Sequence, residues 1–152
     1  MPSTLESLLR QRRKQASVAR RRTPADEEHQ AQAALIEWAS LARLPEAPDV
    51  EPGARIADYL FAVPNSGKRS PRAAGRLKAE GMKAGVWDLQ LALARGGHPG
   101  LWIEMKSSKG TLEPEQKAWG ARMERAGYRV HVCRSFDAAR AVVAAYVGLR
   151  AA

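Results

Sequence analysis

The sequence predicts an α/β fold, a single small mixed sheet flanked by helices, held in one domain over residues 24–150. Three observations predict it. Leu89, Leu91 and Leu93, and then Leu101, Ile103 and Met105, alternate with a period of two, as half-buried strands do. Apolar stripes at helical spacing precede and follow them, notably Ala31, Ala34, Leu35, Trp38, Leu41 and Ala42. A chain of 152 residues with 45% hydrophobic content can bury one proper core.

Taken in order, residues 1–23 form a basic tail with few large apolar side chains and weak expected order. Thr23-Pro24 is a helix start: threonine suits the N-cap and proline the first helical position, and Asp26, Glu27 and Glu28 favour the positive end of the dipole. This helix is expected to run to about Leu44, with Glu28 and Gln32 one turn apart on one face. Tyr59 to Val63 reads as a strand, broken by Pro64-Asn-Ser-Gly67, with Lys68 and Arg69 next. Ser70-Pro71 opens a basic helix to about Glu80, carrying Arg72, Arg76 and Lys78. After Lys106, Ser107 to Gly110 reads as a flexible turn. A helix then starts near Pro114 and stops at Gly127. Tyr128 to Cys133 alternates like a strand, and Ser135 caps a last helix, Phe136 to Val147.

The two leucine-rich strands are joined by Arg95-Gly-Gly-His-Pro-Gly100, the chemistry of a hairpin loop. If their aliphatic faces point to the core, parity puts Asp88, Gln90, Trp102, Glu104 and Lys106 on the opposite face. The favoured pairing sets Asp88 across from Lys106, with Glu104 as diagonal neighbour. A one-residue slip would send Asp88 to the other face. Two carboxylates and an ammonium on one face suit a hard divalent cation and a phosphate-bearing substrate. A solvated face with a weak cross-strand pair is the commoner origin of such a pattern.

The net charge is +9 and the pI about 10.3, which points to a polyanionic partner, nucleic acid first. Residues 1–24 hold seven Lys/Arg against Glu6 alone. This tail is either a phosphate-binding arm or a solvated leader. A polar turn at Asn65, Lys68 and Arg69 could likewise hold a phosphate or be plain turn. No apolar run can span a bilayer, no signal-peptide core follows the basic start, and the single cysteine, Cys133, excludes an internal disulfide, so a cytoplasmic setting and no membrane partner are expected. His29, His98 and His131 do not combine with Cys133 into a zinc spacing, and Gly96-Gly97 lacks the context of a phosphate loop.

The segment from Glu28 to Val147 resembles a stand-alone VRR-NUC domain of the PD-(D/E)XK nuclease superfamily, as found in phages, prophages and larger repair nucleases. The matching pieces are Glu28-His-Gln-Ala-Gln32 with Trp38, Phe61-Ala-Val-Pro-Asn-Ser-Gly67, Leu77-Lys-Ala-Glu-Gly81, Lys83-Ala-Gly-Val-Trp-Asp88, Ile103-Glu-Met-Lys106, and Leu112-Glu-Pro-Glu-Gln116 with Trp119 and Gly127-Tyr-Arg-Val130. The resemblance implies a restriction-endonuclease-like core and a Mg²⁺- or Mn²⁺-dependent DNA endonuclease or nickase. It implies catalytic roles for Glu28, Asp88, Glu104, Lys106 and Gln116, with Glu28, Asp88 and Glu104 as metal ligands. Lys106 would act on the attacking water or the transition-state charge. Asn65, Lys68, Arg69, Arg72 and Arg76 would lie near the nucleic acid. Homodimers, branched DNA such as four-way junctions, and the cytoplasm of a bacterium or phage-infected host belong to the same expectation. One position departs: the family's usual proline before the aspartate is Trp87 here. That departure and the basic tail motivate the alternative reading, a catalytically inactive nucleic-acid-binding module.

Overall fold

The computed structural model describes residues 22–64 and 69–150. The expected turn at 65–68, with Asn65 and Lys68, and nearly all of the basic tail lie outside the described residues. Helix α1 spans Pro24–Leu41, followed by a short 3₁₀ turn, Ile56–Asp58, and strand β1, Leu60–Ala62. Helix α2 (Pro71–Ala79), strands β2 (Leu89–Leu91) and β3 (Leu101–Met105), helix α3 (Pro114–Arg125), strand β4 (Arg129–Cys133) and helix α4 (Phe136–Val147) complete the order.

The caps form where the side chains predict. Thr23 Oγ1 accepts from the Asp26 amide at 3.1 Å while the Asp26 carboxylate accepts from the Thr23 amide at 3.0 Å, a reciprocal box around Pro24. Ser70 caps Ala73 and Ser135 caps Ala138 through their hydroxyls. Helix α1 stops at Leu41, short of the expected Leu44, because the chain turns to pair with the loop that returns to it. Leu44 donates to the Ala54 carbonyl at 2.9 Å and is buried. Leu41 is 70% exposed and leaves the expected stripe, which Leu35 and Ala39 anchor instead.

One four-stranded sheet has the order β1-β2-β3-β4. The first two pairings are antiparallel, and β3 and β4 run parallel across the α3 crossover. Leu89 pairs with Ile103, so the ladder carried one position outward sets Asp88 level with Glu104. The expected partner was Lys106. The shift is two residues, so parity and the shared face survive.

Both faces of the sheet are covered. One packs Leu89, Leu91, Leu101 and Ile103 against Leu35 and Ala39 of α1 and Ala139 and Val143 of α4. The other was expected to be polar, yet every residue of β3 is buried, Trp102 and Glu104 included. Trp102 meets Trp119 of α3 edge to face, with centroids 5.4 Å apart and rings at 82°. Trp87 lies against Gly120, where a Cβ would come within 2.4 Å of its ring. Glycine at that position is what lets α3 approach the sheet closely enough to cover it. Among the described residues no helix is long and apolar enough to cross a membrane.

Candidate active site

The carboxylates gather where β2 begins and β3 ends. Asp88 precedes β2, and its Oδ2 accepts from the Met105 amide at 2.8 Å. Its own amide donates to Glu104 Oε2 at 3.3 Å. The two acids are therefore locked across adjacent strands by each other's strand backbone. Glu104 Oε1 also meets Lys106 Nζ at 3.2 Å and the Gln116 side-chain amide at 2.5 Å. Lys106 is reached by parity from Glu104, two residues along the same chain.

Gln116 has a double task at the start of α3. Its Oε1 accepts from the Glu113 amide at 2.9 Å, which caps the helix, while its Nε2 holds Glu104. Its main-chain carbonyl accepts from Trp87 Nε1 at 2.8 Å. The residue in the family's proline position thus ties the segment that leads into β2 to the helix that covers it, and Asp88 keeps its Met105 bond.

Glu28 comes from the first turns of α1. Its Oε1 accepts from the Ser107 amide at 2.9 Å, just past the end of β3. Glu27 takes the next amide, Ser108, at 3.4 Å and stays exposed. Helical phase favours Glu28 over Glu27 as the site's acid, and Glu28 is the one that lines the cleft. The Ser107–Gly110 turn, expected to be flexible, is tied on both sides. Arg134 Nη1 donates to the Ser107 carbonyl at 3.0 Å and to the Gly110 carbonyl, and Ser107 is buried. Arg134 was not singled out by sequence, because an arginine one residue past a strand carries no local sign of its partner.

Glu28, Asp88, Glu104, Lys106 and Gln116 all line one cleft of about 340 Å³, together with Glu113 and Glu115. Burial pushes the Glu104 carboxyl up to about 7, helped by the neighbouring charge of Asp88 and opposed by Lys106. Burial also raises Asp88, with Glu28 adding to the rise and the Met105 amide and Lys106 working against it. Perturbed acids in a cleft mark functional sites more often than chance, though structural networks produce them too.

Of the basic residues expected near nucleic acid, the described ones, Arg69, Arg72 and Arg76, are not among those that line this cleft. Arg69 Nη1 sits 3.2 Å from Met82 Sδ. Arg72 is exposed on α2, and Arg76 is paired with Glu80 at 2.9 Å, one turn on. Among the described residues no three His, Cys, Asp or Glu side chains converge as a ready-made metal cage. The donors offered are carboxylate oxygens alone, the hard ligands that Mg²⁺ and Mn²⁺ take. Such ions need only one or two protein carboxylates when substrate phosphate and water supply the rest. A bound dication would offset the cost of burying Glu104 beside the charge of Asp88, so the residues fit such an ion.

No curated protein matches this chain. A solved structure described as a VRR_NUC domain protein matches with a TM-score of 0.64 and 27% identity, over 81% of this chain and 89% of that one. The VRR-NUC domain family itself matches residues 11–137. The sheet order, the carboxylates at the ends of β2 and β3 and these matches converge: the chain belongs to the VRR-NUC domain family, a family of nuclease-type domains, and carries its restriction-endonuclease-like α/β fold.

Proposed function

We propose that this protein is a divalent-metal-dependent DNA endonuclease or nickase that hydrolyses phosphodiester bonds, with branched DNA such as four-way junctions as its substrate class. The observation that carries the reading is the shared cleft of Asp88, Glu104 and Lys106, with Glu28 at its edge. Asp88 and Glu104 would hold Mg²⁺ or Mn²⁺, with Glu28 supporting. The ion supplies positive charge against the phosphoryl oxygens and makes a water more acidic.

The protein's own groups do the rest. Lys106 offers its ammonium to the attacking water and to the charge that grows on the phosphate. Gln116 fixes the Glu104 carboxylate, the Met105 amide fixes Asp88, and the Ser107 amide fixes Glu28. Each acid is thus oriented by a hydrogen bond before any substrate arrives, which lowers the reorganisation needed during reaction. The catalytically inactive alternative rested on the basic tail and on Trp87. That side chain is accommodated under α3 without costing Asp88 its contact to β3, which supports the catalytic reading.

The test is cleavage of supercoiled plasmid, linear duplex, single strand, flap and four-way junction DNA with Mg²⁺, Mn²⁺ or EDTA. Metal-dependent cutting lost in Lys106→Ala is expected, strongest on the junction. Equal inertness of both proteins with DNA binding retained would replace the nuclease reading with the binding module. A homodimer is expected in the same preparations, read by analytical ultracentrifugation.

A further inference from the structure

The carboxylate cleft adjoins a basic groove. The cleft lining includes Glu113 and Glu115, at the start of α3. Ala84 lines both the cleft and this neighbouring groove, of about 620 Å³. That groove is walled by Arg69, Lys78 and Lys83, with Met82 and Gly81 between them and no carboxylate among its lining residues. The nearest acid in sequence, Glu80, is engaged by Arg76. Arg69 is steadied by its contact with Met82 Sδ. Lys78 and Lys83 are exposed.

The strip between groove and cleft is fixed. Gly85 has φ +80, and a Cβ there would lie 2.5 Å from the Glu115 carbonyl carbon and 2.6 Å from its oxygen. The main chain at Gly85 is therefore pressed against the first turn of α3, and only glycine permits it. Groove and cleft therefore keep one relation to each other.

We infer that Arg69, Lys78 and Lys83 form a track for the phosphodiester backbone of the nucleic-acid strand whose reacting phosphate occupies the cleft. The strand leaves the cleft past Ala84. This rests on the nucleic-acid reading above, and it adds Lys78 and Lys83, which the sequence alone did not single out as contacts. The chemistry is sequence-independent. Lysine ammoniums on flexible stems are point charges for phosphates and carry no base readout. A polyanion is drawn along a lining of three cations, so the charge of the groove sets the direction of exit.

The experiment separates this track from the nuclease reading. Binding of a fluorescein-labelled single strand and a labelled duplex is measured in EDTA, where no metal-dependent cutting occurs, across about 50 to 200 mM salt. Wild type, Lys78→Ala/Lys83→Ala and the control Lys117→Ala, on exposed α3, are compared. Losing two phosphate contacts should flatten the slope of log K against log salt by about 1.4 for single strand or 1.8 for duplex. Lys117→Ala should leave the slope unchanged. Acetylation of the wild-type chain with and without the strand gives a second readout that needs no variant: Lys78 and Lys83 should be protected and Lys117 not. An unchanged slope in the double variant, or equal acetylation of all three lysines, overturns the track even if the enzyme cuts DNA. A flattened slope in a protein that never cuts DNA keeps the track and removes the nuclease reading.

Discussion

Trp87 Nε1 donates to the main-chain carbonyl of Gln116 at 2.8 Å, and the Gln116 side chain reaches on to Glu104. The residue before Asp88 is therefore linked, through Gln116 of α3, to the Glu104 carboxylate. Trp87→Phe removes this donor from a carbonyl that keeps its place in the α3 helical ladder, at a cost of about 0.5–1.5 kcal/mol. Melting temperature and turnover should both fall, with KM little changed. An unaltered turnover in a destabilised variant would mean that Trp87 serves packing alone.

Gly120 and Trp87 are predicted to be coupled. A Cβ at Gly120 would sit 2.4 Å from Trp87 Cζ2, so Gly120→Ala should destabilise by about 1–3 kcal/mol through overpacking. The same change in a Trp87→Leu background should cost less, since the ring it strikes is gone. Chemical denaturation of the four proteins in this cycle measures the coupling, and strict additivity would contradict the contact.

Lys106→Ala and Asp88→Ala should each reduce cleavage by about 10²-fold or more, the range for removing a group that stabilises a developing charge. The loss should fall on kcat. Lys106→Ala also strips Glu104 of its nearest cation, 3.2 Å away. The variant should therefore hold the Glu104 proton to higher pH still. Carboxyl titration by NMR would read this, and an unshifted Glu104 would contradict the ion pair.

The raised acid makes metal-free stability depend on pH in a definite direction. In the folded chain Glu104 keeps its proton up to about 7, against an ordinary value of 4.5. Its contribution is complete below 4.5 and is lost as pH rises through about 7, because the unfolded chain ionises first. Each unit of displacement is worth about 1.4 kcal/mol. Thermal melts in EDTA between those values should fall for wild type and fall less for Glu104→Gln. Adding Mg²⁺ should stabilise wild type most above pH 7. Parallel curves for the two proteins would refute the assignment.

Arg134 should matter for the turn that Glu28 grips. Arg134→Ala removes the donor to the Ser107 and Gly110 carbonyls. Tryptic cleavage after Lys109 should accelerate several-fold, with the rest of the fold intact. Unchanged proteolysis would show that Glu28 and Glu27 hold the turn by themselves.

Much of this was legible in the residues. Leu89, Leu91, Leu101 and Ile103 declared their strands by alternation, and Thr23, Ser70 and Ser135 declared helix starts by their hydroxyls. Asp88, Glu104 and Lys106 could be put on one face by counting. Glu28 and Gln116 came from the resemblance to the family. The places where the expectation failed share a cause. Leu41 left its stripe, Ser107–Gly110 proved tied, and the polar face of β3 proved buried, each because of a partner far away in the chain.

Parity and periodicity are local properties of the backbone, so the sequence by itself determined most of the elements and which side chains share a face. Register within that parity is different. Asp88 opposite Lys106 and Asp88 level with Glu104 present the same residues to the same side, and alternation cannot tell them apart. Tertiary structure decided between them, and it decided that α3 would lie over Trp87 and Trp102 and so take Glu104 out of water. The raised carboxyl and the meeting of the cleft with the basic groove arise from that burial and from contacts between distant segments, which only the folded chain brings together.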